Sequence, residues 1–406
     1  MPLGKFKELI LIFLILFVPQ ANFAIFYATI LPFILVTTLP SVKDRSNIIF
    51  RAIMLFWLLL ASFIVMKYSF FENLYDLKEL MKLALFLLVY YSIRRVTLEQ
   101  LGYLFFAYIF VDFVVSIIQF IHFDHYLVDL IVSIYSTGNH AEFSLQLNSV
   151  RSLGLSPGPG QHGVISLLIF WFFSIRYTFE RRSLMGLLGL VLAVSSLFMS
   201  QSKTCLIAFL ASGIVFIGFI FVLKDNITRL MIIALLSITV FLIWLYFTDI
   251  MNVFYDISRV VKSGLETSSL IARVQLWEAM ISVILSSNPV LILFGAGRSY
   301  LEYMGVYHGS FDNDFVYIFV QYGIIGFVAF VSFITFYLIR NFLKFNRLSI
   351  TSKIIYMLLL SGVVSSLSIA FFIDLKILSI LAILLAIENR GKTTQLGYYS
   401  KTSKAG

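Results

Sequence analysis

Apolar residues in this chain come in long unbroken runs, not in the alternations that mark elements with one face in water. Runs near the roughly 20 residues needed to cross a bilayer fall at about 6–21, 23–39, 48–66, 79–93, 101–121, 163–178, 184–200, 205–223, 230–247, 315–338, 354–373 and 375–389. They predict an all-α, polytopic integral membrane protein with about 12 transmembrane helices, forming a single transmembrane domain over 1–406. Lys5 and Lys7 ahead of the first run mimic a secretion signal. However, Asn22-Phe23-Ala24 is a poor cleavage site and a second run follows at once, so the pair reads as an uncleaved helical hairpin.

Composition closes the alternatives. With 60% of the residues apolar, 13% charged and a mean hydropathy of +0.96, the chain has too little polar surface to cover a water-facing exterior. The single cysteine, Cys205, excludes a disulfide framework and any Cys-based zinc or iron–sulfur site. A net charge of +9 would point to nucleic acid in a soluble protein, but the placement of the charges says otherwise. With the amino terminus in the cytoplasm, 20 of the 30 Lys and Arg fall on short cytoplasmic connections and tails, from Lys5 and Lys7 to Lys401 and Lys404. That is the positive-inside pattern. Both termini are then cytoplasmic, and the basic excess orients the protein and makes no nucleic-acid surface.

On this topology two large extracytoplasmic loops appear, at about 122–162 and 248–314. The cytoplasmic connections are mostly too short for a nucleotide-binding domain, and no GxxxxGK[ST] or dinucleotide fingerprint occurs. The expected chemistry is therefore on the outer face and runs without ATP.

The first loop ends in Arg151-Ser-Leu-Gly-Leu-Ser-Pro157-Gly158-Pro159-Gly160-Gln161-His162-Gly163. Such Gly/Pro density makes a rigid, non-helical segment with bare N–H groups. With Arg151 it reads as an anion cradle at a helix start, or equally as a surface loop that initiates the next helix. In the second loop Ser269 is a plausible N-cap and Pro289 a stop, which predicts an interfacial helix near 270–287. Arg273 and Trp277 are neighbours on one face of that helix. They either hold a lipid-linked phosphate or serve as a snorkelling cation and an interfacial anchor.

Gly295 and Gly297 permit a tight turn before a third outer arginine, Arg298. Asp312, Asn313 and Asp314 then stand where a span begins, a place that favours carboxylates. Capping accounts for at least one of them, while Asp312 or His308 is the candidate general base for a hydroxyl proton. Lys203, in the turn Ser200-Gln-Ser-Lys-Thr204, is a further cation at the outer mouth or a snorkelling one. The triplet His122/Asp124/His125 and the pair Asp312/Asp314 are each too short to complete a metal site, and no HExxH occurs, so no metal is expected. Asp112, near the middle of the fifth run, costs roughly 2.5–3.5 kcal/mol when ionised there unless it has a partner or a cavity. It is a functional group or a hydrogen-bonded packing group.

Taken in order, these segments resemble the O-antigen polymerase and ligase family of bacterial polysaccharide assembly, over about 150–340. The likeness rests on an arginine-led Gly/Pro segment (Arg151 to Gly163), a Ser-Lys-Thr turn (Ser202-Lys203-Thr204) and an Arg-xxx-Trp helix (Arg273, Trp277). It continues with Asn288-Pro289 leading into Phe294-Gly295-Ala-Gly297, then Asp312-Asn313-Asp314-Phe315, and Gly323-Ile-Ile-Gly326. Lys203 departs from the arginine commoner in the family. Asp312-Asn313 resembles the polymerases, and His308 keeps the ligase alternative open.

The resemblance implies a glycosyltransferase of the bacterial inner membrane. It would transfer a growing glycan from undecaprenyl pyrophosphate to the sugar hydroxyl of an incoming lipid-linked repeat unit. Asp312 or His308 would be catalytic, and Arg151, Arg273, Arg298, Lys203, Trp277 and His162 would bind pyrophosphate or glycan. No cofactor or metal is needed, because the donor is already activated. Membrane lipids, a chain-length regulator and the flippase of the pathway are its expected partners. A flippase for the same lipid-linked sugars is the competing class, but it would keep its loops short and its cations within the spans.

Overall fold

The computed structural model describes residues 3–21, 23–42, 75–121, 125–136, 151–223, 268–306 and 312–402. The expected runs at 48–66 and 230–247 lie outside the described residues. Within them the protein is all-helical, a polytopic membrane fold. Among the described residues, four helices are long and apolar enough to cross a membrane: Leu98–Phe120, Pro159–Phe179, Lys203–Phe221 and Asp314–Phe342.

The chain forms two compact units, Met1–Ala211 with Phe311–Phe315 and Phe333–Gly406, and Ser212–Ser310 with Val316–Ser332. The first contains α1 (Leu3–Phe17), α2 (Phe23–Val42), α3 (Tyr75–Ser92), α4 (Leu98–Phe120), α5 (His125–Tyr135), α6 (Pro159–Phe179) and α7 (Leu184–Met199). The start of α8 (Lys203–Leu223), α13 (Ile350–Ser365) and α14 (Leu375–Thr402) also belong to it. The second contains α9 (Ser268–Leu285), α10 (Pro289–Phe294), α11 (Arg298–Tyr303) and the middle of α12 (Asp314–Phe342).

Helix α6 is the core of the first unit. Gly158 precedes it and Pro159 occupies its first turn, where a missing N–H costs nothing. Trp171, Phe172 and Phe173 are fully buried along it, and Phe172 meets Phe105 of α4 edge-on at 4.8 Å. Around it pack α7, α4 and α13, with α14 beyond α13 and beside α3. Outward side chains of the long helices are themselves apolar, as lipid permits: Ile207, Leu210 and Ile214 on α8, and Phe333, Phe336 and Ile339 on α12.

At one end of this unit, Glu8 of α1 closes the turn between α3 and α4. Its Oε2 accepts the N–H groups of Arg94, Arg95 and Val96 at 2.9, 2.7 and 3.1 Å, while Arg390 of α14 donates to the carbonyls of Arg94 and Val96. Glu8→Ala leaves three donors without an acceptor and is expected to cost roughly 3 kcal/mol, with Glu8→Gln costing less. Thermal unfolding of the solubilised protein measures both, and a wild-type midpoint for Glu8→Ala would contradict the assignment.

Several boundaries differ from the sequence expectation. The first large loop is partly helical: α5 occupies 125–135, with Tyr126, Leu130 and Ile134 exposed and Val128 buried. The run at 354–373 is helical only to Ser365, and residues 366–374 form a loop rich in backbone-to-side-chain bonds. Pro289 does not merely stop α9. Asn288 caps a new helix through its Oδ1, and Pro289 is that helix's first residue.

Candidate functional site

The Gly/Pro segment after Arg151 is not a free surface loop. Ser152, Leu153, Gly154, Leu155 and Ser156 are all buried, and polar side chains from three helices hold their backbone. Gln119 of α4 accepts the N–H groups of Leu153 and Gly154 on its Oε1, at 2.9 and 2.8 Å, and donates to the Gly154 carbonyl at 3.3 Å. Asp112, two turns earlier, accepts the Leu155 N–H at 2.8 Å. Lys376 of α14 donates its buried Nζ to the Leu155 carbonyl at 3.1 Å, with the Tyr108 and Tyr135 rings each 5.8 Å from the ammonium. Gly154 has φ +52°, and a Cβ there would lie 2.7 Å from the His162 ring, so only glycine fits.

His162, one turn into α6, completes the clamp. Its Nδ1 lies 3.0 Å from the Ser152 carbonyl, an acceptor only, so that nitrogen carries a hydrogen. Its Nε2 is 2.9 Å from Asp112 Oδ2 and 3.2 Å from Ser116 Oγ. One proton therefore lies between His162 and Asp112, and the pair is neutral overall, which removes most of the penalty of burying Asp112 in an apolar helix. Asp112 is buried and hydrogen-bonded through both carboxyl oxygens in this fold. His162 is 1% exposed and turned inward, toward α4.

A second set of contacts ties this segment to the end of α7, and ties the starts of α8 and α12 to the loop 366–374. The Ser152 N–H donates to the Met199 carbonyl at the end of α7, and Thr204 at the start of α8 hydrogen-bonds Ser368. The start of α12 docks on the same loop. The Asp314 N–H donates to the Ser366 carbonyl at 3.0 Å, the Asn313 amide donates to Leu367 O at 3.1 Å, and buried Asp314 Oδ2 accepts the N–H groups of Phe371 and Phe372. Asn313 Oδ1 caps α12 by accepting the Phe315 N–H, so capping falls to Asn313 and anchoring to Asp314. Asp312 is the half-exposed member of the three. At the far end of the loop, Asp374 Oδ1 accepts the N–H groups of Lys376 and Ile377, and Gln20 donates to its Oδ2. Burial pushes the Asp374 carboxyl up, and these bonds together with the Lys376 charge pull it partly back.

In the second unit, α9 packs through Met280 and Ile284, with Trp277 half-buried on the same face and Arg273 exposed one turn before it. Arg298 begins α11, where its Nε donates to Glu302 at 3.1 Å and its N–H donates to Gln321 Oε1 at 3.2 Å. The turn before it is built by close backbone approach. The N–H groups of Ala296 and Gly297 both donate to the Val320 carbonyl at 3.0 Å, and α12 breaks opposite them at Gly323, whose φ is +66°.

Residues 188–331 match the family model Wzy_C, described as O-Antigen ligase. That stretch, about a third of the chain, is similar to the O-antigen polymerase and ligase family. No curated protein matches the chain. Members of this family are membrane glycosyltransferase-like enzymes. The matched stretch includes the Ser202-Lys203-Thr204 turn, Arg273 and Trp277, Arg298, Asp312, Gly323 and Gly326, but begins after the Arg151 segment.

Of the expected site residues, the first unit brings the segments bearing Arg151, Lys203 and Asp312 onto one scaffold. Lys203 is exposed and Arg151 half-buried. Arg273, Trp277 and Arg298 belong to the second unit, and His308 lies outside the described residues. Among the described residues no group of three or more His, Cys, Asp or Glu is placed to hold a metal ion. The loop 366–374 and the pair Asp374–Lys376 were not anticipated. The polar run Ser365-Ser366-Leu-Ser368 and the charges at 374 and 376, in sequence otherwise apolar, were the available signal.

Proposed function

We propose that this protein is a surface-polysaccharide polymerase on the periplasmic face of the bacterial inner membrane, with both termini cytoplasmic. The acceptor is the terminal sugar hydroxyl of a lipid-linked repeat unit, and the donor is a growing glycan on undecaprenyl pyrophosphate. The acceptor oxygen forms a bond to the donor's anomeric carbon, the bond from that carbon to the pyrophosphate oxygen breaks, and the hydroxyl proton passes to a base. Undecaprenyl pyrophosphate leaves. The observation that carries this reading is the half-exposed Asp312 ahead of an Asn313-capped α12, within the matched stretch and on the scaffold that also bears Lys203 and the Arg151 segment.

Asp312 is the proposed base. Arg151, Arg273 and Lys203 bind and neutralise the pyrophosphates, each charged hydrogen bond contributing about 1.5–3 kcal/mol. Trp277 offers a flat apolar face to sugar or prenyl chain. Arg298 has a weaker claim, because Glu302 already shares its charge. A second reading is a ligase, which moves finished polymer to lipid A-core: the matching family model is described as a ligase, and His308 stands four residues before Asp312.

Deleting the gene and examining the surface glycan separates the readings. Loss of a polymerase leaves acceptors carrying a single repeat unit. Bare acceptor with accumulated lipid-linked polymer would identify a ligase, and absence of any lipid-linked sugar outside would identify a flippase.

A further inference from the structure

The clamp beneath the Arg151 segment has no part in the chemistry proposed above, yet it is built from polar and charged side chains that are 0–1% exposed. Four buried polar residues, Asp112, Gln119, His162 and Lys376, converge on four backbone residues, Ser152 to Leu155. Packing of α4 on α6 does not by itself call for them, since replacing buried charged groups by apolar residues of similar size is often neutral or stabilising. What they do determine is the path of the backbone leading out of Arg151. The Ser152 N–H and carbonyl, the Leu153 and Gly154 N–H groups, the Gly154 carbonyl, and both polar groups of Leu155 all have partners, most of them on these four side chains.

We propose that Asp112, Gln119 and His162 are positioning residues: acting through the Ser152–Leu155 backbone, they aim the Arg151 guanidinium at the pyrophosphate of the lipid-linked donor. This rests on the reading that Arg151 binds that pyrophosphate. The cause is entropic. An arginine on a loose Gly/Pro loop loses conformational freedom on binding, whereas one on a clamped backbone has already lost most of it. The clamp is also chemically undemanding about charge. Asparagine at 112 can accept the Leu155 N–H on its oxygen and donate its amide to His162 Nε2, with the hydrogen kept on Nδ1.

The test measures binding of undecaprenyl pyrophosphate to the purified full-length protein in nanodiscs, which does not depend on whether the protein polymerises or ligates. Arg151→Ala and Asp112→Ala are each expected to weaken binding about tenfold, and the double variant also only about tenfold, because removing either leaves the other without effect. Asp112→Asn is expected to bind within about threefold of wild type. A merely structural Asp112 would give independent losses that multiply. That result, or wild-type affinity for Asp112→Ala when Arg151→Ala binds weakly, overturns the positioning role while leaving the pyrophosphate reading intact. Wild-type affinity for Arg151→Ala overturns both. Should Asp112→Ala fail to accumulate, Gln119→Met carries the same cycle, since it releases the Leu153 and Gly154 N–H groups at nearly constant volume.

Discussion

Gly323→Ala is expected to leave little folded protein in the membrane. Gly323 breaks α12 with φ +66° and ψ −168°, a backbone region closed to residues with a Cβ and costing them about 1–3 kcal/mol. A Cβ there would also lie 2.5 Å from the Leu293 backbone carbon, and one on Gly295 would lie 2.5 Å from the Gln321 backbone carbon. The two glycines face each other, so neither backbone can retreat without breaking the bonds from Ala296 and Gly297 to Val320. Strain and overlap together should exceed about 4 kcal/mol, a range reached by few single substitutions. Gly213→Ala is the control. Nothing lies within 4 Å of its added Cβ in α8, so it should be neutral or slightly stabilising. Wild-type accumulation and melting of Gly323→Ala would show that the close approach is not what the fold depends on.

Arg273→Lys is expected to remove most polymer while the protein still accumulates at its normal level. Arg273 is exposed on α9, so lysine keeps the charge and costs the helix almost nothing. It cannot fork onto two phosphate oxygens, and losing one charged hydrogen bond of about 1.5–3 kcal/mol predicts a fall of at least about tenfold in polymer formation. Glycan ladders from cells expressing the variant measure this directly. A wild-type distribution of chain lengths would exclude Arg273 from phosphate binding.

The two substitutions probe different kinds of information. Arg273 and Trp277 could be found from the chain alone, because a four-residue spacing on a helix makes neighbours wherever that helix lies. The glycines could be seen as a motif, but not understood. Nothing in Phe294-Gly295-Ala-Gly297 or Gly323-Ile-Ile-Gly326 says that one packs on the other, 28 residues apart from Gly295 to Gly323. The three acidic-region residues behaved likewise. Sequence placed Asp312, Asn313 and Asp314 at a helix start, where one would cap. Contacts with Leu367, Phe371 and Phe372 were needed to separate the cap, the anchor and the half-exposed carboxyl.

Membrane class and the approximate position of most described helices were legible because lipid solvation of an apolar run is a local property, depending on the run's own length and composition. Polar groups inside such a protein follow the opposite rule. With no water to satisfy them they must find partners, and the partners are whichever side chains the packing brings near: His162 for Asp112, 50 residues away, and Leu155 for Lys376, 221 residues away. A run of hydropathy could flag Asp112 as costly. Only the packed helices could reveal that its cost is met by a histidine and a loop amide, and that both belong to the segment carrying Arg151.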